Sequence, residues 1–260
     1  MNRKIIHFSD LHWRMFKHHD TWKKVLIEAF NQWSEIKPYR IIFTGDLVHS
    51  KNQLTPELID MVSWTLTECA KIAPTILIIG NHDFLEKNED RLDALSPIIN
   101  NLNNPNITYY KNTGVHEDKD IVWCVYSLME HNIKPEFIRE EGKKYIGLFH
   151  GPINGLTTDL GFAFEDGYSP QIFDGLDTVL CGDIHKRSIF NIPGNKKGIM
   201  IGSALQNNFG ESVGNHGYGI YNVDTDKYEF IDIENDQPFL HFKITDIEDI
   251  ENEKEQLVNA

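Results

Sequence analysis

Ile41-Ile42-Phe43-Thr44-Gly45-Asp46 is the stretch whose reading decides the fold. An apolar, β-branched run that stops at a glycine and then places a carboxylate is how a buried strand presents one charged group at its carboxyl end. A carboxylate has two oxygens and can hold two cations at once. Asp46 is therefore read as a bridge between two metal ions, because four other strand ends in the chain also stop in residues of metal-ligand type.

Upstream, Arg3 to Phe8 reads as a first strand, broken at Ser9-Asp10-Leu11-His12. From Asp20, taken as an N-cap, Trp22, Val25, Leu26, Ala29, Phe30 and Trp33 recur at helical spacing up to Pro38. These rings read as core. Thr55-Pro56 supplies a cap and a first-turn proline, and Leu58, Ile59, Val62, Leu66 and Cys69 mark the buried face of a second helix. Thr75 to Ile79 is a third strand, ending in Gly80-Asn81-His82-Asp83. Strand and helix in alternation predict parallel pairing with right-handed crossovers, and reactive groups gather beyond the carboxyl ends of such strands.

The second half has another texture. Runs at 121–126, 145–149, 178–181, 188–192, 198–201, 217–223 and 227–233 are strand-like and mostly joined by short links rich in Gly, Asn, Asp or Pro. They predict a second, more antiparallel sheet packed on the first.

The 260 residues suffice for one large domain with a full core. No stretch approaches the roughly 20 apolar residues of a membrane span, and the start has too short an apolar run for a secretory leader. The expectation is a soluble, cytoplasmic protein. Cys69, Cys124 and Cys181 are widely spaced in apolar segments and read as reduced core residues. A net charge of -14 argues against a broad basic face for polyanions. It does not exclude a nuclease, since part of the acidity is metal-ligating and part lies in the last forty residues.

Asp10 and His12 stand two apart where a strand ends, so their side chains can share one ion. Asn81 offers an amide oxygen, His150 an imidazole, and Asp183 and His185 repeat the spacing of two after Val179-Leu180-Cys181-Gly182. Any one of these alone reads as a turn or cap residue; the ordered set over five strand ends does not.

Asp10-x-His12, Gly45-Asp46, Gly80-Asn81-His82-Asp83, His150-Gly151 and Gly182-Asp183-Ile184-His185 resemble, in order, the five blocks of the calcineurin-like metallophosphoesterases. The segment from Gly202 to Glu211, followed by His216-Gly217-Tyr218, is similar to a signature of a narrower branch, the SbcD-type DNA repair and recombination nucleases, which include phage subunits. The resemblance implies an α/β fold, a four-layer αββα sandwich with two mixed sheets, over residues 1–243. Residues 244–260 would be an acidic tail or the start of a capping segment. One ion would be held by Asp10, His12, Asp46 and His185, the other by Asp46, Asn81, His150 and Asp183.

Manganese is the ion the branch implies, with magnesium possible. Asp183 stands where the family usually has histidine, which makes the second position harder and more anionic. Such a pair of ions would activate a water to attack a DNA phosphodiester. His82 would donate a proton, with Asp83 orienting it by a hydrogen bond. His49 would be a second, non-ligating histidine facing substrate, or else an ordinary loop residue. The partners implied are DNA, a coiled-coil ATPase of the SbcC type, and a second copy in a homodimer.

Trp13, Arg14, Phe16 and Lys17 could form an aromatic and basic rim for a nucleotide, or a loop docking on its own domain. Lys186-Arg187 could touch a phosphate or be a solvated pair. His7 and His241 alternate with apolar residues and read as structural. Two other functions fit parts of the pattern: a small-molecule or cyclic-nucleotide phosphodiesterase or phosphatase, and a non-catalytic scaffold of the same fold.

Overall fold

The computed structural model describes residues 3–85 and 91–240. Strand β1 (Lys4–Phe8) is followed by helix α1 (His19–Ile36), β2 (Arg40–Phe43), α2 (Pro56–Ile72), β3 (Thr75–Ile78), α3 (Ser96–Leu102) and β4 (Ile107–Tyr110). The strands β1 to β3 pair in parallel, as the alternation predicts, and β4, which the sequence did not reveal, extends that pairing. Then come β5 (Gly114–Asp118), β6 (Ile121–Tyr126), β7 (Lys144–His150), β8 (Thr178–Gly182), β9 (Ser188–Ile192), β10 (Lys196–Met200), β11 (Gly217–Asn222) and β12 (Lys227–Asp232).

Two six-stranded mixed sheets result, ordered β12-β11-β1-β2-β3-β4 and β5-β6-β7-β8-β10-β9. Because the inner strands are buried on both faces, side-chain alternation divides them between two cores. Ile6, Phe8, Ile41, Phe43 and Leu77 face α1 and α2, where Trp22, Phe30 and Trp33 are core as expected. Ile5, Ile42, Ile76 and Ile78 face the second sheet, meeting Trp123, Val125, Ile146, Leu148 and Leu180. The far side of that sheet is covered by loops and the 3-10 turn at Pro170–Phe173, through Phe173, Ile153 and Leu176. The αββα sandwich holds, with an irregular fourth layer.

Three expectations are corrected. The second sheet is parallel at its centre, through β6-β7, β7-β8 and β8-β10, and antiparallel only at β5-β6 and β9-β10. Strands β11 and β12 belong to the first sheet, where β11 pairs antiparallel with the otherwise open edge of β1. Asp20 does not cap α1; it lies in the first turn, where its charge suits the helix dipole, and His18 in a left-handed conformation precedes the helix. Thr55 does cap α2, accepting the Leu58 N–H at 3.3 Å. The three cysteines are buried and unpaired with one another. No described helix is long and apolar enough to cross a membrane. His241 and the boundary near residue 243 lie outside the described residues.

Candidate active site

Each candidate ligand follows a strand that ends at one edge of the sandwich, on the seam between the sheets. Asp10 and His12 follow β1, Asp46 follows β2 and Asn81 follows β3; His150 ends β7, while Asp183 and His185 follow β8. Chains that leave a strand and turn at once into a shared site need unusual backbone. Asp10, His12, Asp46 and Asp183 all have positive φ, between 48° and 97°. For residues other than glycine this costs about 1–3 kcal/mol each, and it concentrates at functional sites. Gly45, at φ 98°, lies so close to His150 that a Cβ would run into the imidazole. A Cβ on Gly80 would strike the Asp46 carboxylate.

The two oxygens of Asp46 face different groups. On one side Asp46 Oδ2 lies 3.5 Å from His12 Nε2, which is 3.0 Å from His185 Nε2 and 3.7 Å from Asp10 Oδ1. On the other, Asp46 Oδ1 lies 3.4 Å from His150 Nε2, which is 3.2 Å from Asn81 Oδ1 and 3.8 Å from Asp183 Oδ1. All seven expected ligands are thus brought together as two clusters sharing one carboxylate.

The tautomers favour cation binding. His150 Nδ1–H donates to the Thr44 carbonyl at 2.6 Å, and His185 Nδ1–H to Glu211 Oε1 at 2.7 Å. Both rings therefore direct Nε2 into the site, where a cation can take the place of the Nε2 proton. Asp10 Oδ1 is buried without a hydrogen-bond partner among the described residues. Converging carboxylates, an amide oxygen and imidazole lone pairs in a buried seam fit two divalent ions.

The titration behaviour follows from this crowding. Burial would raise Asp46, yet the charges of His150, His12 and His82 hold it well below the carboxylate range. Burial would lower His150, but Asp46, Asp10 and Asp183 push it far up. Against burial, the Glu211 bond and Asp10 raise His185 to about 9. Burial, outweighing His150, lifts Asp183 to about 6. Burial and then Arg14 lower His49 to about 4, leaving it neutral at pH 7.

His82 and His49 stand beside the clusters, their rings stacked with centroids 5.5 Å apart and His82 4.7 Å from the His12 ring. The expected Asp83–His82 hydrogen bond is absent. His82 Nδ1 instead donates to the His49 carbonyl at 2.7 Å. The Asp83 carboxylate accepts the backbone N–H groups of Asp46, Gly80, Leu47 and Val48, at 2.9, 2.9, 3.1 and 3.2 Å. Three of these donors come from the Asp46 loop, which leaves its strand with unpaired amides, and the fourth from Gly80 after β3, so this carboxylate ties the two loops together.

Two further expectations divide. Trp13 is fully buried, its Nε1–H on Thr65, so it anchors its own loop; Phe16 is exposed. Arg187 is engaged by Asp232 and the Ile231 carbonyl, while Lys186 reaches only the Thr157 hydroxyl, at 3.4 Å. His7 is structural, held between Tyr228 and Thr44.

Glu211 went unassigned in the sequence. Besides His185, it accepts the Ser203 hydroxyl at 3.1 Å, the Asn207 N–H at 2.9 Å and the Asn208 amide at 2.7 Å. Ser203 Oγ also meets His216 Nδ1 at 3.0 Å, which gives His216 a structural place. The signal was the Gly202 to Glu211 block; its contact with His185 was not visible in spacing.

The family model for calcineurin-like phosphoesterases matches residues 3–187. A dimetal phosphatase from Danio rerio shares the fold, with a TM-score of 0.52 and 10% identity over 91% of this chain and 98% of that one. Protein R555 of Acanthamoeba polyphaga mimivirus, described as uncharacterised, is 35% identical over 261 residues. That match covers 95% of this chain but 19% of R555, so the chain spans about a fifth of that relative. With the match running from β1 through both clusters, the chain belongs to the calcineurin-like phosphoesterases.

Proposed function

We propose that the chain is a metal-dependent DNA nuclease, the catalytic subunit of a recombination or repair complex with a coiled-coil ATPase of the SbcC type. The observation that carries this reading is the position of the block resembling the SbcD-type nucleases. Its Glu211 holds His185, and its Asn207 amide donates to the Asp10 carbonyl at 3.1 Å. The stretch that distinguishes the branch thus buttresses the candidate site itself.

Asp10, His12, Asp46 and His185 would hold one divalent ion, and Asp46, Asn81, His150 and Asp183 the other, with manganese the preferred metal. Such ions, when bound, lower the pKa of a water and offset phosphate charge. The chain's own residues do the rest. Asp46 sets the spacing of the two clusters. His82, its Nδ1–H fixed on the His49 carbonyl, turns Nε2 outward; in its imidazolium form it would pass the Nε2 proton to the departing sugar oxygen and remain as the neutral Nδ1–H ring. The net charge of -14 leaves most of the grip on DNA to the partner.

The test is digestion of end-labelled duplex and single-stranded DNA with and without Mn2+, beside a cyclic nucleotide and a phosphomonoester, for wild type and Asp46→Asn. Manganese-dependent DNA cleavage that disappears in the variant is expected. Turnover of the small substrates alone would make the protein a small-molecule phosphoesterase, and turnover of nothing would point to a missing partner or a scaffold.

A further inference from the structure

Beyond the ligands, the Asp10 and Asp46 loops run on side by side. The Trp13 N–H donates to the Leu47 carbonyl and the His49 N–H to the Trp13 carbonyl, both at 3.0 Å. Trp13 is thereby pinned from two directions, by this bridge and by its ring on Thr65 and Trp22. The residues that follow it are lifted to the rim. Between the Trp13–Lys17 segment and His49, Ser50 and Gln53 lies a cavity of about 210 Å³. It is smaller than the roughly 300–1,000 Å³ of a drug-sized ligand site, and it suits one planar ring system.

Its chemistry is specific. Phe16 is 68% exposed, whereas Trp13 three residues before it is fully buried. Arg14 and Lys17 place two cations here on a strongly acidic protein. The Arg14 guanidinium is held by the Asn207 carbonyl at 3.1 Å, while its Nε has no partner among the described residues. The Gln53 amide is engaged by no described side chain and offers both a donor and an acceptor. An aromatic face, cationic groups and an amide edge are what a nucleobase and its phosphates require. The cavity also adjoins the candidate active site through His49, whose ring is 5.6 Å from His12 and 5.5 Å from His82.

We infer that this cavity receives the base of a nucleotide next to the bond being cut, stacked on Phe16, with Arg14 and Lys17 on the flanking phosphates. The inference rests on the nuclease reading. It adds that single-stranded or frayed ends are the form of DNA admitted, since a paired base cannot enter a one-ring cavity without leaving its stack.

The test uses single-stranded oligonucleotides carrying one abasic residue at successive positions, cut in Mn2+. For wild type, one position should lower kcat/KM roughly 10- to 100-fold, the effect of one lost stacking contact. Phe16→Ala should show a similar loss on the intact strand and no further loss on the abasic one, and Phe16→Trp should restore discrimination. Without metal, 2-aminopurine at that position should be quenched on binding to wild type and not to Phe16→Ala. Equal cutting of intact and abasic strands at every position, or undiminished discrimination in Phe16→Ala, would overturn the base site while leaving the nuclease standing. Hydrolysis of bis(p-nitrophenyl) phosphate with no cutting of any oligonucleotide would overturn the nuclease reading, and the base site with it.

Discussion

Replacing Asp83 by asparagine separates two roles for this residue. Burial, and after it the charge of Asp46, push the Asp83 carboxyl up to about 8, while the donated N–H groups pull it down. The geometry decides for the ionised form. Oδ2 accepts from Asp46 and Gly80 and Oδ1 from Leu47 and Val48, so a proton on either oxygen would face two N–H donors. The asparagine amide creates that conflict permanently, because its NH2 must stand where one oxygen stood. Two buried donors lose their acceptor at about 1–3 kcal/mol each, a total loss of about 2–6 kcal/mol. Against a usual domain stability of about 5–15 kcal/mol that is a large fraction. Urea unfolding at pH 7.5 measures it directly. The Asp46 loop should loosen as well, so Mn2+ affinity measured by calorimetry should fall together with stability. A loss below about 1 kcal/mol would mean that Asp83 already carries a proton and that the introduced amide merely copies it, and the account of the loop would be wrong. A loss of turnover with no loss of stability would return Asp83 to the role first expected, orientation of His82.

Glu211→Gln removes one of the two accepting oxygens behind His185; Mn2+ affinity at one of two sites should fall about 10- to 100-fold, and an unchanged isotherm would count against the contact. Asp183→His should move metal preference toward zinc with activity kept, whereas an inactive or metal-indifferent variant would deny Asp183 a place among the ligands. His7 is fully buried and burial lowers it from 6.5 to about 3, so between those pH values the unfolded chain takes up a proton that the folded one refuses. This contributes a loss of about 1.4 kcal/mol of stability per pH unit as pH falls through that window. His7→Gln should lack that component when urea midpoints at pH 7 and pH 4.5 are compared, and parallel slopes in the two proteins would refute it.

The candidate site was more legible in the sequence than the sheet that carries half of it. Ligand chemistry restricts residue types, and parallel strands restrict where they stand, so Asp46, His150 and His185 could be read from apolar runs that stop in them. The order of the second sheet was not readable from its links. Short segments rich in Gly and Asn suggested hairpins, which β5-β6 and β9-β10 are. The contrary signal was in the strands: Ile121–Tyr126 is buried at every residue, the mark of a central parallel strand rather than a half-wet antiparallel one. Strands Ile107–Tyr110 and Gly114–Asp118 escaped notice because sheet edges carry half-buried residues and so lack an apolar run. Glu211 was illegible for another reason. A carboxylate in a polar loop ordinarily marks a solvated turn, and only the fold brings it to a histidine 26 residues away.

The two clusters are unequal, and their inequality bears on how the proposed pair of ions would divide the work. On the His12 side two imidazoles and two carboxylates converge, and one ring is backed by the buried Glu211 carboxylate, which raises its basicity as a ligand. On the His150 side a single imidazole, backed by a neutral carbonyl, meets three oxygen donors from Asp46, Asn81 and Asp183. The first set suits an ion of intermediate softness, held tightly. The second suits a hard ion held mainly by charge, whose affinity depends on Asp183 being ionised. Burial raises Asp183 to about 6 against the pull of His150, and the charges of Asp10 and Asp46 add to the rise. A cation on the His12 side would offset Asp10 and Asp46 and so ease the ionisation of Asp183. Filling the first position would then prepare the second, and the order of binding would follow from the placement of one aspartate.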